Sequence, residues 1–187
     1  MTAVQTHSTT TSPVVDAPRP MADGKAKGAL YTPEERRRRD ASKWTVVQGV
    51  LAPIQFLVMA VSVALVVRYL RTGDGLTAAN ISVIVKTVVL YTIMVTGAIW
   101  EKEVFGQYLF APVFFWEDFV SFFVIALHTI YLGGLAAQWP PRTLMFIALT
   151  AYVTYAVNAV QFILKLRAAR LSEQRGVRDA SSARASA

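Results

Sequence analysis

Four carboxylates, two tryptophans and an imidazole crowd the stretch from Trp100 to Leu132, WEKEVFGQYLFAPVFFWEDFVSFFVIALHTIYL. Glu101, Glu103, Glu117 and Asp118 are four of the twelve acidic residues of the chain, and His128 is its only histidine besides His7. Each acidic pair adjoins a tryptophan and apolar surface, a setting suited to a carboxyl that works as a general acid. A solvated acidic loop is the plain alternative. On a helix advancing 100° per residue, Ser121, Val124, His128 and Tyr131 fall within about 40° of Glu117. Carboxylate, hydroxyl, imidazole and phenol therefore share one stripe, with His128 about 15 Å along the axis from Glu117 and Asp118.

A histidine at membrane depth favours ligand or proton chemistry over a packing role, because ionisable groups are costly there. One membrane histidine rules out a bis-histidine haem within a single chain, but it suffices as one axial ligand to a magnesium tetrapyrrole. The chain holds no cysteine, which excludes disulfides, thiolate metal sites and a cysteine nucleophile. No glycine-rich nucleotide loop, zinc-protease motif or nucleophile elbow is present.

The elements that must position these groups are apolar. Hydrophobic residues make up 54% of the chain, charged residues 17%, and mean hydropathy is +0.41, beyond the range of an ordinary soluble domain. The expected fold is an all-α integral membrane protein with four transmembrane helices at about 45–68, 80–100, 119–138 and 143–165. Residues 1–30 read as a disordered tail without a signal-peptide core, 31–171 as the membrane domain, and 172–187 as a flexible tail. Thr32-Pro33-Glu34-Glu35 has the form of a helix start. The stretch 104–115 is compatible with a loop, an interfacial segment or a re-entrant one.

The net charge of +7 raises the question of nucleic acid, yet the basic residues flank apolar spans. Twelve lysines and arginines in 34–43, 101–118 and 165–184 fall on the side holding both termini, against Arg68, Arg71 and Arg142 opposite. This bias places both termini in the cytoplasm. Within the spans, Gln48, Gln55, Ser62 and Tyr69 repeat every seven residues, and Thr143, Thr150, Thr154, Asn158, Gln161 and Lys165 follow three–four spacing. Both stripes should face the bundle interior, as interhelical hydrogen-bonding glue or as the lining of a ligand pocket. Lys86 is expected to snorkel to the non-cytoplasmic surface, the alternative being a buried acid or ligand as its partner.

The runs LYTPEERRRRDAS (30–42), LYTIMVTGAIWEKEVFGQYLFAPVFFWEDFVSFFVIALHTIYL (90–132) and YAVNAVQFILKLRAARL (155–171) resemble the 3-vinyl bacteriochlorophyllide hydratase family of bacteriochlorophyll biosynthesis. The likeness covers about residues 30–171, and the WEKEVFG, LFAP, FFWED and LHT series is not a generic membrane pattern. It implies a hydro-lyase of the bacterial cytoplasmic or intracytoplasmic membrane that hydrates the 3-vinyl group of a chlorophyllide to a 3-(1-hydroxyethyl) group. No redox cofactor is implied, since the substrate carries its own magnesium. The expected partners are the pigment, the bilayer and other enzymes of the pathway, with an oligomer open and no nucleic acid.

On that resemblance Glu117, Asp118, Glu101 and Glu103 become the candidate acid and base. Glu117 and Asp118 are ranked first because Glu117 shares the His128 stripe. His128, Trp116, Phe115, Trp100, Ser121, Tyr131, Asn158 and Gln161 become candidates for pigment binding, with His128 able to ligate the pigment magnesium. Two other classes compete: a non-catalytic pigment- or quinone-binding assembly subunit, and a small transporter, disfavoured because no inverted repeat or paired buried charges are evident.

Overall fold

Five helices make up the fold in the computed structural model, which describes residues 30–185. The N-terminal tail expected over 1–30 thus lies, Leu30 apart, outside the described residues. Helix α1 (Pro33–Ala41) starts where the sequence places it, for a local reason. The Thr32 hydroxyl accepts from the Glu35 amide at 3.2 Å while the Glu35 carboxylate accepts from the Thr32 amide at 2.7 Å, and Pro33 occupies the first turn. Ser42 ends α1 and caps α2 (Lys43–Thr72) by accepting from the Trp44 amide. Helices α3 (Leu76–Phe105), α4 (Phe115–Ala136) and α5 (Pro141–Ala185) follow.

Helices α2 to α5 are the expected four spans, each long and apolar enough to cross a membrane, with the last apolar as far as Leu171. The boundaries differ from the sequence reading in three places. Helix α4 begins at Phe115 rather than 119, so Glu117 and Asp118 stand in its first turn instead of on the preceding connection. The open question over 104–115 resolves into the end of α3 and a non-helical loop, 106–114. Gly106 stops α3 in the left-handed region (φ 84°), where a side chain would be strained. Helix α5 runs on to Ala185, so the segment drawn as a flexible tail beyond 171 is helical up to that residue.

Helix α2 packs along α3 and α4 along α5; the two hairpins meet through α2 with α5 and α3 with α4, and α1 lies against α3. The core contains Met59, Val66, Val83, Tyr131, Met145 and Tyr152. Large apolar side chains such as Phe56, Leu57, Val61, Val88, Val153 and Ile163 are exposed on the outside, as a bilayer allows and water does not.

Lipid offers no hydrogen bonds, so the helices cross-link their own polar groups. Gln48 donates to Thr96 Oγ1 at 2.8 Å, Ser62 bonds Ser82 and Tyr152 at 2.7 Å each, Tyr91 pairs with Thr129, and Tyr131 donates to Asn80 at 2.7 Å. The α2 stripe of Gln48, Gln55, Ser62 and Tyr69 therefore turns inward as expected, all four being buried or half-buried.

The α5 stripe needs correction. Thr143, Thr150 and Gln161 are exposed, whereas Leu144, Met145, Ala148, Ala151, Tyr152 and Asn158 form the inner face. Thr150 and Thr154 donate to the carbonyls four residues earlier, at 2.9 Å, so Thr150 can face outward without an unmet hydroxyl. Gln161 accordingly does not line the interior. Lys86 is also misplaced by the sequence reading: it is 0% exposed, with Nζ 4.0 Å above the Tyr155 ring, because α3 turns this position toward α5 instead of toward an end of the bundle.

The α4–α5 corner supplies a stability test. A Cβ on Gly134 would come within 2.7 Å of the Trp139 ring and 2.9 Å of Leu144 Cδ2, whereas Gly133 has open space. Gly134→Ala is expected to cost about 1–3 kcal/mol through overpacking, with Gly133→Ala near neutral. Thermal unfolding in detergent measures both, and equal midpoints for the two variants would contradict this packing.

Candidate active site

At one end of the bundle the carboxylates come from two helices and a single loop ties them together. Glu101 projects from the last turns of α3 and Asp118 from the first turn of α4, both buried, and their carboxyl groups are near enough to act on one another electrostatically. An ionised carboxylate only accepts, so the two could bond directly only with a proton on one of them.

Loop 106–114 closes over the pair through its backbone. The Phe110 amide donates to Asp118 Oδ2 at 2.8 Å and the Ala111 amide to Glu101 Oε2 at 3.3 Å. Phe110 takes a left-handed backbone (φ 58°), a conformation unfavourable for a bulky side chain and held here by the Asp118 contact and a turn from Phe114 N to Ala111 O.

Glu117, one residue away, is held differently. Both of its oxygens accept from Lys165 Nζ of α5 at 2.8 Å, and the Lys165 ammonium also lies 5.3 Å from the centroid of the Phe114 ring. Such a contact is a charge-assisted pair of hydrogen bonds, stronger than neutral ones. Two adjacent residues thus present opposite hydrogen-bonding situations. Asp118 faces another carboxyl and accepts from a loop amide; Glu117 bonds to a cation.

Glu103 does not join them. It is exposed and accepts from Ser42 Oγ at 2.7 Å, fastening the α1–α2 junction to α3. Trp100 likewise serves the framework: its indole donates to Thr45 Oγ1 at 2.9 Å, and its ring packs with Phe105 and Phe114 in a cluster that includes Tyr31 and Phe162.

Phe115 and Trp116 stand outside, 45% and 68% exposed. With Phe110, Phe119 and Phe122 they form a continuous aromatic face: Phe110 stacks on Phe122 at 5.4 Å with 9° between planes, Phe115 lies 5.5 Å from Phe110, and Trp116 meets both Phe115 and Phe119 edge-on. Phe110 joins this face to the carboxyl pair, since its own amide is bonded to Asp118.

The remaining α4 stripe is buried along its whole length, through Ser121, Val124, His128 and Tyr131. Ser121 accepts from Asn158 at 2.7 Å, and Tyr131 is spent on Asn80. His128 is 1% exposed; its Nδ1 donates to the Val124 carbonyl at 2.8 Å, its ring lies against Tyr152, and Lys86 is near enough to act on it electrostatically. Backbone-anchored Nδ1 with an unpartnered Nε2 is the arrangement of a ligating imidazole. A macrocycle could reach it only by parting α4 from its neighbours. Sequence reasoning missed Lys165 as a site residue and the two loop amides; the first was signalled by its place seven residues along the Asn158 face, the second by nothing in the side-chain types.

Comparison with known proteins adds the chemistry. Residues 31–168 match the family model described as 2-vinyl bacteriochlorophyllide hydratase. A protein of that name from Rhodobacter capsulatus is 65% identical over 146 residues, covering 78% of this chain and 85% of the relative. One from Cereibacter sphaeroides is 65% identical over 142 residues, covering 76% and 89%. No solved structure matches.

The Glu117–Lys165 pair can be tested by a double-mutant cycle. Lys165→Met leaves a carboxylate with an 8%-exposed side chain without its cation, which should cost roughly 3 kcal/mol. Adding Glu117→Gln should recover most of that loss, because the stranded charge is then gone. Additive losses in thermal unfolding would show that the pair does not interact.

Proposed function

The chain belongs to the 2-vinyl bacteriochlorophyllide hydratase family, and we propose that it adds water across the vinyl group of a bacteriochlorophyllide-type pigment, with the Glu101–Asp118 pair as proton donor and Glu117 as base. The product is the 1-hydroxyethyl pigment. The 2-vinyl of the family name and the 3-vinyl of the sequence resemblance denote the same substituent under two ring-numbering schemes. The observation that carries the assignment is the division just described: two buried carboxyls capped by the loop amides of Phe110 and Ala111, beside a carboxylate clamped by Lys165.

The steps balance without a redox partner, because addition of water involves neither oxidant nor reductant. The protonated carboxyl of the pair gives its proton to the terminal vinyl carbon, whose π electrons form the new C–H bond. Positive charge develops on the carbon next to the ring, where the macrocycle delocalises it. Water attacks that carbon, and Glu117 accepts the proton it releases. Transfer from Glu117 back to the neighbouring pair restores the starting state. The ranking drawn from sequence, with Glu117 and Asp118 ahead of Glu101 and Glu103, changes in this reading: Glu101 joins Asp118 as donor, and the lysine partner of Glu117 suits it to the base role. Glu103, tied to Ser42, has no part in the step.

The pigment is placed on the outer aromatic face of Phe110, Phe115, Trp116, Phe119 and Phe122, where flat apolar rings offer offset stacking. Its vinyl group reaches the pair when loop 106–114 shifts. His128 is too enclosed to hold the pigment magnesium in this arrangement. The basic residues of α1 and of α5 beyond Lys165 lie at the carboxylate end, which supports a bacterial cytoplasmic or intracytoplasmic membrane with both described ends of the chain inside.

Purified protein in lipid nanodiscs, incubated with the vinyl pigment, should convert it to a product heavier by one water, with loss of vinyl absorption. Tight binding without any mass gain would favour a pigment-carrying subunit instead. Glu101→Gln and Asp118→Asn should each lower turnover by roughly 10²-fold with pigment affinity retained, whereas Glu103→Gln should turn over at close to the wild-type rate. Activity surviving in both pair variants would remove the pair from the mechanism.

A further inference from the structure

A second polar cluster lies at mid-bundle, about 15 Å along α4 from the carboxyl pair. Lys86 of α3, His128 of α4 and Gln55 of α2 are 0%, 1% and 2% exposed, and Lys86 Nζ, His128 Nε2 and Gln55 Oε1 each have no hydrogen-bond partner. They belong to one neighbourhood. Lys86 Nζ sits 4.0 Å from the Tyr155 ring centroid, Tyr155 lies beside the Gln55 side chain, and His128 lies within electrostatic range of Lys86. Three unmet polar atoms on enclosed side chains in apolar surroundings are costly enough to demand an occupant.

Hydrogen-bond polarity selects its chemistry. The ammonium of Lys86 only donates. Because Nδ1 of His128 gives its hydrogen to the Val124 carbonyl, Nε2 of the neutral ring accepts, and Gln55 Oε1 accepts as well. An occupant must therefore take one hydrogen bond and give two. A carboxylate or chloride meets the lysine but turns lone pairs on the other two atoms; a metal ion meets the imidazole and amide but faces the ammonium. Water fits all three. We propose that Lys86, His128 and Gln55 bind ordered water in the centre of the bundle, a hydration site independent of the reaction assigned to the carboxyl end.

Radiolytic hydroxyl-radical footprinting of the full chain in phosphatidylcholine nanodiscs tests this without reference to activity, since bound water yields radicals that oxidise adjoining side chains shielded from bulk solvent. Met145, 0% exposed, is an internal control in the apolar core; methionine is intrinsically readily oxidised. Oxygen adducts are expected on His128 and on Tyr152 beside it, with Met145 spared, and they should be lost in Lys86→Met. Absence of label on His128 and Tyr152, or label that tracks Met145, overturns the proposal, and both readings come from the wild-type protein alone should the variant fail to fold. Label indifferent to Lys86→Met also overturns it, by separating the water from the lysine. Label that appears only when chloride is replaced by a large organic anion would assign the site to an anion and overturn it likewise.

Discussion

A charged or hydrogen-bonding group carried into a bilayer must find its partner inside the protein, because lipid supplies none. That constraint organises this fold more than apolar packing does, since the outer faces of the helices are as apolar as the core. What distinguishes inside from outside is where polar groups meet: Ser62 with Tyr152, Tyr131 with Asn80, Asn158 with Ser121, and Glu117 with Lys165. These bonds join α2, α3, α4 and α5 in pairs and fix their rotation about their own axes. The last of them also sets the electrostatics of the site.

From that pairing the division of labour proposed for the carboxylates follows. Glu117 and Asp118 are adjacent in sequence and both buried, so burial alone cannot assign them different roles. Their partners can. Helix geometry swings successive side chains 100° apart, which sends one carboxylate to α5 and its lysine and the other to α3 and Glu101. The loop 106–114 completes the second arrangement with two backbone amides, at the cost of a left-handed Phe110.

Much of this was readable in the residue order, and the reasons for the remainder are physical. Span number follows from apolar length, and the buried α4 stripe from Glu117 to Tyr131 follows from period, because four spans of about twenty residues and a polar residue every third or fourth position admit few other solutions. The α5 face was misread at Thr143, Thr150 and Gln161, because threonine can satisfy its hydroxyl on its own helix and so carries little information about direction. Lys86 was misread because a lysine near a span end has two outcomes, snorkelling or burial, and the neighbouring helices decide between them. The Glu101–Asp118 contact joins residues seventeen positions apart across a loop whose closing bonds are made by backbone, which no side-chain pattern records.

The placement of aromatic rings bears on how a flat pigment and water could both reach one pair of carboxyls. Phe114, Trp100, Phe105 and Phe162 fill the space behind loop 106–114, so approach from the α1 side is closed by packed rings. On the other side Phe110, Phe115 and Trp116 are exposed, at the end of the bundle that an apolar macrocycle dissolved in the bilayer would approach. A substrate arriving laterally would meet these rings first and the carboxyl pair only beneath Phe110. Phe110 belongs to both surfaces: its ring is part of the exposed aromatic face, and its amide is one of the two that close over the acids. On the proposed mechanism, movement of this one residue under a stacked macrocycle would uncover Asp118, and recognition of the ring system would be coupled to exposure of the proton donor through the Phe110 backbone hydrogen bond.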